Sequence, residues 1–300
     1  MDTTYTLTID DAGSGGPEMV ESFRKTCRFL KSRGLRATWF VVPKPGGQPW
    51  SEEWRRALLE GRDAGHDLQL HGLTHSHCFE FGPPVEPATR ILPSFLEQFE
   101  ARREELLPNY TLGWMREVLE IWLEVFDREW GTTPGVFRPP CGSVCKALFE
   151  ALSEVGIRYS SGQYLNMGCY DHLEHLGGKP SQTWTDRWPR SPFRWYSDVV
   201  EVPIVGEYTW RGASACEPAF TEMAKSDVDR IAETSSVGVL LAHTHGIADN
   251  YDYAFRLFDA VVEHLEGQGR RRFATLAELA AAGALEPLPG TPTGADILET

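Results

Sequence analysis

The sequence has no run of about 18 apolar residues, which is the length that a membrane-spanning helix needs. Its first residues, MDTTYTLTIDD, lack the basic start and the apolar core of a secretory signal. The chain also has no internal repeat and no low-complexity linker. We therefore expect no membrane partner, and one domain over residues 1–285 followed by a loose tail at 286–300.

Basic residues are scarce relative to acidic ones. The chain of 300 residues has 29 Lys and Arg against 43 Asp and Glu, so its formal net charge is -14. A field of this sign repels phosphate backbones and anionic lipid, which disfavours nucleic acid and membrane surfaces as partners. With 41% apolar and 24% charged residues, the composition is that of a globular protein, and it predicts no particular oligomeric state.

Cysteines are few, and their spacing excludes two classes of site. The six cysteines, at positions 27, 78, 141, 145, 169 and 216, form neither a CxxC metal pair nor a small disulfide scaffold. We therefore expect six reduced thiols. Together with the missing signal, this predicts a cytoplasmic protein.

Short strands and helices alternate in the first 70 residues. Strands are predicted at 5–9, 37–42 and 67–70, and helices at 17–33 and 52–64, each closed by a glycine. The run ATWFVV at 37–42 is typical of a strand buried on both faces of a parallel sheet. This order predicts an α/β fold, either doubly wound or a barrel, with its site at the carboxyl ends of the strands.

Two insertions are predicted beyond this point. The segment at about 83–131 is long and helical, and the segment at about 162–197 is a loop rich in Trp, Gly, Pro and His. The remaining elements predicted are strands at 136–137, 157–160, 199–205 and 237–242, and helices at 144–155 and 251–266.

Acidic residues and histidines follow the predicted strands. Asp10 and Asp11 are adjacent carboxylates that repel each other, so they indicate a bound cation or, alternatively, a turn before the sequence AGSGG. His71 and His75 have a spacing that zinc ligands often use. His77 adds a third imidazole, whose role as a surface group, substrate contact or support stays open.

Two later segments carry further candidates. In Arg138–Gly142 (RPPCG), prolines and a glycine make a rigid turn that can hold the arginine and aim a backbone N–H, or that simply leads into a helix. The apolar run that ends at His243 places an imidazole over the site as an acid or base. His245 points the same way if the strand continues.

In combination, these segments resemble the NodB-type polysaccharide deacetylases, the carbohydrate esterase family 4 group. Thr8–Asp11 is similar to the first motif (T-F-D-D), and His71–His75 is similar to the second (H-[S/T]-x-x-H). Arg138–Gly142 is similar to the third motif, and the apolar run ending at His243 to the last. The resemblance spans approximately residues 5–280.

The resemblance implies a single-domain distorted (β/α) barrel with fewer than eight regular strands. It also implies that Asp11, His71 and His75 hold a divalent metal ion. Two imidazoles and one carboxylate suit Zn²⁺ best, although Co²⁺, Ni²⁺ or Fe²⁺ would also bind.

Catalytic roles follow from the same resemblance. Asp10 would be the general base, Arg138 would orient Asp10, the N–H of Cys141 would stabilise the oxyanion, and His243 would be the general acid. A nucleophilic Cys141 is a rival interpretation, which the metal set makes unnecessary.

The sequence departs from the family pattern at two places. Ala12 stands where the family has a glycine. The fourth motif, which supplies a carboxylate to the acid histidine, is indistinct, and Asp198 and Glu201 are both candidates for that carboxylate. The choice between His243 and His245 as the acid also stays open.

The implied function is the metal-dependent removal of an N-acetyl group from a sugar or a sugar-containing small molecule. The partner would be a small-molecule or oligosaccharide substrate with an N-acyl group. One alternative is a metal-dependent amidase acting on a non-sugar or cyclic amide. Another is a carbohydrate-binding barrel without catalysis.

Aromatic residues and histidines in or beside the second insertion allow two interpretations. The tryptophans either stack on sugar rings or pack the insertion, and the histidines either form a pH-sensitive lid or lie on the surface. These residues are Trp184, Trp188, Trp195, Trp210, His172 and His175.

Overall fold

Nine strands form one sheet in the described part of this computed structural model, which comprises residues 2–86, 88–195 and 197–294. The strands are β1 (Thr4–Ala12), β2 (Ala37–Val41), β3 (Asp67–His71), β4 (Val136–Arg138), β5 (Tyr159–Ser160), β6 (Phe193–Arg194), β7 (Val200–Glu201), β8 (Ile204–Glu207) and β9 (Val237–His243). The helices are α1 (Pro17–Ser32), α2 (Glu52–Asp63), α3 (Ala88–Ile91), α4 (Ser94–Ala101), α5 (Arg103–Leu106), α6 (Leu112–Trp130), α7 (Lys146–Glu154), α8 (Glu217–Ala232), α9 (Thr244–Asp249), α10 (Tyr251–Gly267) and α11 (Leu276–Ala281).

The sheet has the strand order β6-β7-β5-β4-β3-β2-β1-β9-β8. Every neighbouring pair is parallel except β6 and β7. At the far edge, Ile204 of β8 exchanges backbone hydrogen bonds with Gln163 and Leu165, so the chain after β5 curls back towards β8. The predicted fold class, an α/β protein with a distorted (β/α) barrel, is confirmed.

Burial explains why the central strands form where they do. All five residues of β2 are buried, as the continuous apolar run predicts for a central parallel strand. Helix α1 covers this strand with one apolar face, and the ring of Phe23 lies 4.4 Å from that of Trp39. The sheet is therefore held between helices, and its carboxyl edge is left to the loops.

The structure differs from the predicted elements at three places. The strand predicted at 199–205 is two strands, β7 and β8, because Pro203 interrupts it. Helix α8 was not predicted. The chain turns into α9 directly after His243, so the strand does not continue to His245, although the two imidazoles still lie side by side.

The predicted insertions and tail have the following structure. Helices α3 to α6 occupy most of 83–131, whereas 162–197 contains short 3-10 turns and β6. Within the tail, Glu286 forms an ion pair with Arg194 at 2.7 Å, and the N–H of Gly294 donates to the carbonyl of Arg194. Residues 295–300 lie outside the described residues.

No helix in the described ranges combines the length and the hydropathy that crossing a lipid bilayer requires.

Candidate active site

Three predicted metal ligands converge at the carboxyl edge of the sheet. Asp11 comes from the end of β1, His71 from the end of β3, and His75 from the loop that follows. Their ligand atoms all lie within 4.8 Å of one another. Oδ1 of Asp11 is 3.6 Å from Nε2 of His71 and 3.6 Å from Nε2 of His75.

Local backbone geometry and one hydrogen bond aim these groups. Asp11 and His75 have φ values of 68° and 47°, so both residues sit in sharp left-handed turns. Nδ1 of His71 lies 3.0 Å from the carbonyl oxygen of Arg138. Because a carbonyl only accepts, Nδ1 carries the hydrogen and Nε2 keeps its lone pair for a cation. This donor set fits a divalent metal ion with nitrogen and oxygen ligands.

The charges at the cluster are coupled. Burial alone would raise the pKa of Asp11, but the hydrogen bond from His245 and the other nearby imidazoles, His71 among them, hold it well below its usual range. Burial would lower the pKa of His71, yet the carboxylates of Asp10 and Asp11 raise it. Burial lowers the pKa of His75 and so favours its neutral form. A cation that binds here would compete with protons for these imidazoles.

The loop between the two histidines is braced by a residue that sequence reasoning missed. The carboxylate of Glu80 accepts hydrogen bonds from the N–H groups of Leu73 and Thr74, at 3.0 and 2.9 Å, and from the Thr74 hydroxyl. Gly72 has φ of 61°, and a Cβ there would lie 2.3 Å from the ring of Pro140. Close packing of this loop on the RPPCG turn therefore requires glycine.

Asp10 and Arg138 form a buried ion pair, as the resemblance implied. Nη1 of Arg138 lies 2.7 Å from Oδ1 of Asp10, and both side chains are nearly inaccessible to solvent. Ser161 accepts from the guanidinium through its carbonyl and its hydroxyl, and the ring of Phe40 lies 3.9 Å below. Oδ2 of Asp10 then faces the cluster, 3.8 Å from His71 and 4.0 Å from His243.

A buried carboxylate fixes His243, but it is neither of the two predicted candidates. Oε2 of Glu207 lies 2.6 Å from Nδ1 of His243. Its other oxygen accepts from the N–H and the hydroxyl of Thr209, at 2.7 and 3.0 Å. Although burial opposes it, the charge and hydrogen bond of Glu207 raise the pKa of His243 to about 9.

The two predicted candidates have other roles. Glu201 is buried and accepts hydrogen bonds from the N–H groups of Gly162 and Gln163 and from the indole of Trp195. Asp198 is exposed, and its backbone carbonyl accepts from Arg194. Glu207 could have been found as the acidic residue at the end of the apolar segment VPIVGE.

His245 contacts the metal cluster rather than Glu207. Its Nδ1 lies 3.2 Å from Oδ2 of Asp11, whereas His71 and His75 lie nearest to Oδ1 of the same carboxylate. Its buried Nε2 has no hydrogen-bond partner among the described residues. The ring of Trp210 packs edge-on against both His243 and His245.

The thiol of Cys141, the residue predicted to supply the oxyanion donor, is not free. The structure pairs Cys78 with Cys141 in a disulfide, with Cα atoms 5.3 Å apart. The prediction of six reduced thiols is therefore wrong for this pair, because the fold brings together residues 63 positions apart. The expectation of six reduced thiols was one reason to predict a cytoplasmic protein, and the disulfide removes that reason. A disulfide-bonded Cys141 also cannot be a nucleophile.

The sequence profile described as Polysaccharide deacetylase matches residues 2–160, which is more than half of the 300 residues. The chain belongs to the polysaccharide deacetylase family. YheN, a candidate polysaccharide deacetylase of Bacillus subtilis (strain 168), is 33% identical over 86 residues, which cover 29% of this chain and 27% of YheN. The match thus spans about a quarter of that relative.

Two solved structures share the fold of this family member. A candidate polysaccharide deacetylase from Mycobacterium smegmatis has a TM-score of 0.60 at 13% identity, covering 97% of this chain and 95% of its own. A family 4 acetyl xylan esterase from Clostridium thermocellum, in complex with a cobalt ion, has a TM-score of 0.51 at 16% identity, covering 95% and 93%. At these identities the likeness concerns the fold.

A cavity of about 480 Å³ opens onto the cluster in this polysaccharide deacetylase family member. The cavity contains all of the residues predicted for the site, namely Asp10, Asp11, His71, His75, Arg138, Cys141 and His243. Helices of the first insertion add apolar groups such as Ile91 and Phe95, and Tyr164 and Trp210 line the cavity from the other side. The site is thus a pocket walled partly by the insertion.

Of the four tryptophans considered, only Trp210 lines this cavity. The other three pack the second insertion through hydrogen bonds from their indole N–H groups: Trp184 to Asp227, Trp188 to Tyr164 and Trp195 to Glu201.

Three further histidines singled out in the sequence, His77, His172 and His175, form loop contacts. His77 accepts from the N–H of Phe79 and stacks on its ring. His172 contacts the carbonyls of Cys169 and Arg211, and the exposed His175 contacts the carbonyl of Arg90 in the first insertion. None of the three lines the cavity.

Proposed function

We propose that this protein is a metal-dependent hydrolase that removes an N-acetyl group from a sugar or a sugar-containing small molecule. The proposal rests above all on one observation. Asp11, His71 and His75 form a ligand set, and Asp10 and His243 flank it within a single pocket. Membership of the polysaccharide deacetylase family supports the same reaction class.

The metal would be held by Asp11, His71 and His75. A divalent ion held by these residues would supply Lewis-acid chemistry, that is, polarisation of an acyl carbonyl and activation of water. Zn²⁺ is the ion that this donor set favours, and Co²⁺, Ni²⁺ and Fe²⁺ suit it as well.

Asp10 would accept the proton of the attacking water. Its Oδ1 is held by Arg138, so Oδ2 is the atom left to face the reacting groups. The ion pair with Arg138 fixes the orientation of the carboxylate, and a general base needs such fixed geometry.

The backbone N–H of Cys141 would donate to the oxyanion that forms on the acyl carbonyl. In the described part of the chain this N–H donates no hydrogen bond, whereas its neighbours Gly142 and Ser143 donate to Pro139 and Pro140. An oxyanion donor of this kind contributes about 3 kcal/mol to stabilising the transition state.

His243 would protonate the leaving nitrogen. Glu207 holds Nδ1 of His243, so Nε2 is directed towards Asp10 and the cavity. A pKa of about 9 keeps this imidazole protonated at neutral pH, as an acid requires. We assign the acid role to His243 rather than His245, since His245 is engaged by Asp11.

The size of the pocket supports a small substrate. A cavity of about 480 Å³ lies within the range of small-molecule sites, and it suits one or two sugar rings better than a long polymer. Trp210 provides an aromatic face beside His243 on which a sugar ring can stack.

Acetate release tests the proposal. Metal-loaded protein would be incubated with N-acetylated mono- and disaccharides and with simple N-acetyl amides, beside the same protein stripped of metal. We expect acetate from the sugars only in the loaded sample. The Asp10→Asn variant serves as the control, because it should bind metal and release no acetate above background.

The same panel distinguishes the alternatives. Release of another acyl group, or turnover of non-sugar or cyclic amides alone, would indicate the amidase. Tight sugar binding without turnover in metal-loaded protein would indicate a non-catalytic carbohydrate-binding barrel and overturn the proposal.

A further inference from the structure

The Cys78–Cys141 disulfide joins two loops that contribute different groups to the proposed reaction. Cys78 follows the loop that supplies His71 and His75, and Cys141 is the residue whose N–H is the proposed oxyanion donor. Both cysteines line the cavity. The bond therefore spans the active site itself and is not a brace on a remote surface.

Cys141 occupies a backbone conformation that a side chain disfavours. Its φ is 53°, in the left-handed region that glycine adopts most readily. The prolines before it and the two turn hydrogen bonds after it define the turn but do not bind the Cys141 side chain. The disulfide supplies that missing attachment.

The other end of the bond is firmly anchored. Cys78 is 8% exposed and packs with Phe79, Phe99 and Leu106 in a small apolar cluster. Phe99 and Leu106 belong to the helices of the first insertion. Through Cys78, the RPPCG turn that carries Cys141 is thus connected to a packed cluster outside the sheet.

We propose that the Cys78–Cys141 disulfide positions the oxyanion donor, and that breaking it switches the proposed deacetylase to a low-activity form. This inference rests on the proposed function. Reduction would free Cys141 to leave the left-handed conformation, which turns its N–H away from the acyl oxygen. Cys78 and Cys141 would act as positioning residues, since neither thiol touches the reacting atoms.

The reduction is chemically simple and the bond is reachable. A phosphine attacks one sulfur, water supplies the oxygen of the phosphine oxide, and the two electrons and two protons leave a pair of thiols. Because both sulfur-bearing residues line the cavity, a small reductant can enter by the route that substrate takes.

The test compares oxidised, phosphine-reduced and reoxidised full-length protein at constant excess metal. We expect kcat to fall at least tenfold on reduction and to return on reoxidation, with KM changed by less than about threefold. The Cys78→Ser variant should show the low kcat already and ignore the reductant. Cys145→Ser, four residues from Cys141 and free of any disulfide, should respond like the unmodified chain.

A second measurement separates this inference from the proposed function. Hydrogen–deuterium exchange of the backbone amides of Cys141, Gly142 and Ser143 should be faster in the reduced protein, and slower again after reoxidation. If oxidised protein turns over no substrate, the proposed function fails, and the exchange data still decide whether the bond positions the turn.

Two results would overturn the inference. One is an unchanged kcat in reduced protein whose unfolding temperature has dropped, which would make the bond a structural brace only. The other is equal amide exchange at Cys141, Gly142 and Ser143 in the two redox states.

Discussion

Glu207 and His243 share a short hydrogen bond, with 2.6 Å between Oε2 and Nδ1, and the pair is buried beside the cavity. The bond fixes which nitrogen of the imidazole faces substrate. It also raises the pKa of His243 to about 9, despite the opposing effect of burial. The proposed proton donation from His243 would therefore depend on a residue of the neighbouring strand β8, 36 residues away in sequence.

Replacing Glu207 by Gln should lower kcat about a hundredfold while leaving metal content unchanged. The amide can still hydrogen-bond to the imidazole but no longer favours its charged form, so the acid is lost at neutral pH. Steady-state kinetics and metal analysis of the purified variant check this. Glu201→Gln is the matched control, since that buried carboxylate binds backbone N–H groups and does not reach His243.

The pH profile of kcat/KM should have a basic limb that belongs to His243. The imidazolium is the active form, so activity falls as the pH rises through the pKa, which lies at about 9 and is lowered by a nearby bound cation. In Glu207→Gln the limb should move to lower pH. An identical limb in both proteins would assign it to another group.

Asp10→Asn and His75→Ala should separate catalysis from metal binding. The first removes the proposed base but no ligand, so we expect roughly a thousandfold loss of kcat with full metal occupancy. The second removes a ligand and should release metal during dialysis. Atomic absorption and acetate release measure the two properties. Full activity in either variant would contradict the assigned role.

His245→Phe should weaken metal binding by about ten- to a hundredfold. The ring volume is kept, but the group that lies 3.2 Å from Oδ2 of Asp11 is lost, so the ligand carboxylate becomes free to rotate. Competition with a chromophoric chelator gives the dissociation constant. His175→Phe, which alters an exposed imidazole in the second insertion, should leave that constant unchanged.

Acid should destabilise the protein through His66. Burial lowers its pKa from 6.5 to about 4, and its Nδ1 accepts a hydrogen bond from the N–H of Ala37. Between pH 6.5 and pH 4, the unfolded state binds a proton at His66 that the folded state does not bind. The stability that the neutral, buried imidazole contributes is therefore complete above pH 6.5 and is lost as the pH falls towards 4. The loss is about 3 kcal/mol of unfolding free energy.

Urea unfolding at pH 7 and pH 4.5 tests this contribution. In His66→Asn, whose amide oxygen can accept the same hydrogen bond, the decrease between the two pH values should be smaller by about 2 kcal/mol. An equal decrease in both proteins would show that the carboxylates alone cause the acid instability.

The early strands and helices were predictable because local pattern and burial agree there. An apolar run such as residues 37–41 has only one stable environment, the middle of a parallel sheet, and glycines mark the ends of the neighbouring helices. The order of the motifs then predicted that Asp10, Asp11, His71 and Arg138 would share one edge, and the structure brings them together.

Partners that are distant in sequence were not predictable. Glu201 precedes a proline in a plausible position for the acid's partner, yet its carboxylate caps the turn at Gly162, and Glu207 takes the expected role. His245 lines the same cavity as His243, but it does so from α9, because the chain leaves the strand at His243. Whether a strand continues for two more residues depends on its neighbours, which local sequence does not encode.

The sequence by itself determined the class of fold and the chemical groups of the site, since hydrophobic period and residue type are local properties. Tertiary structure decided how those groups are held: Glu207 on His243, His245 on Asp11, and Cys78 on Cys141. Each of these contacts joins residues at least 36 positions apart. The distances between these partner residues are set by the folded sheet, with its curvature and insertions, and not by local sequence.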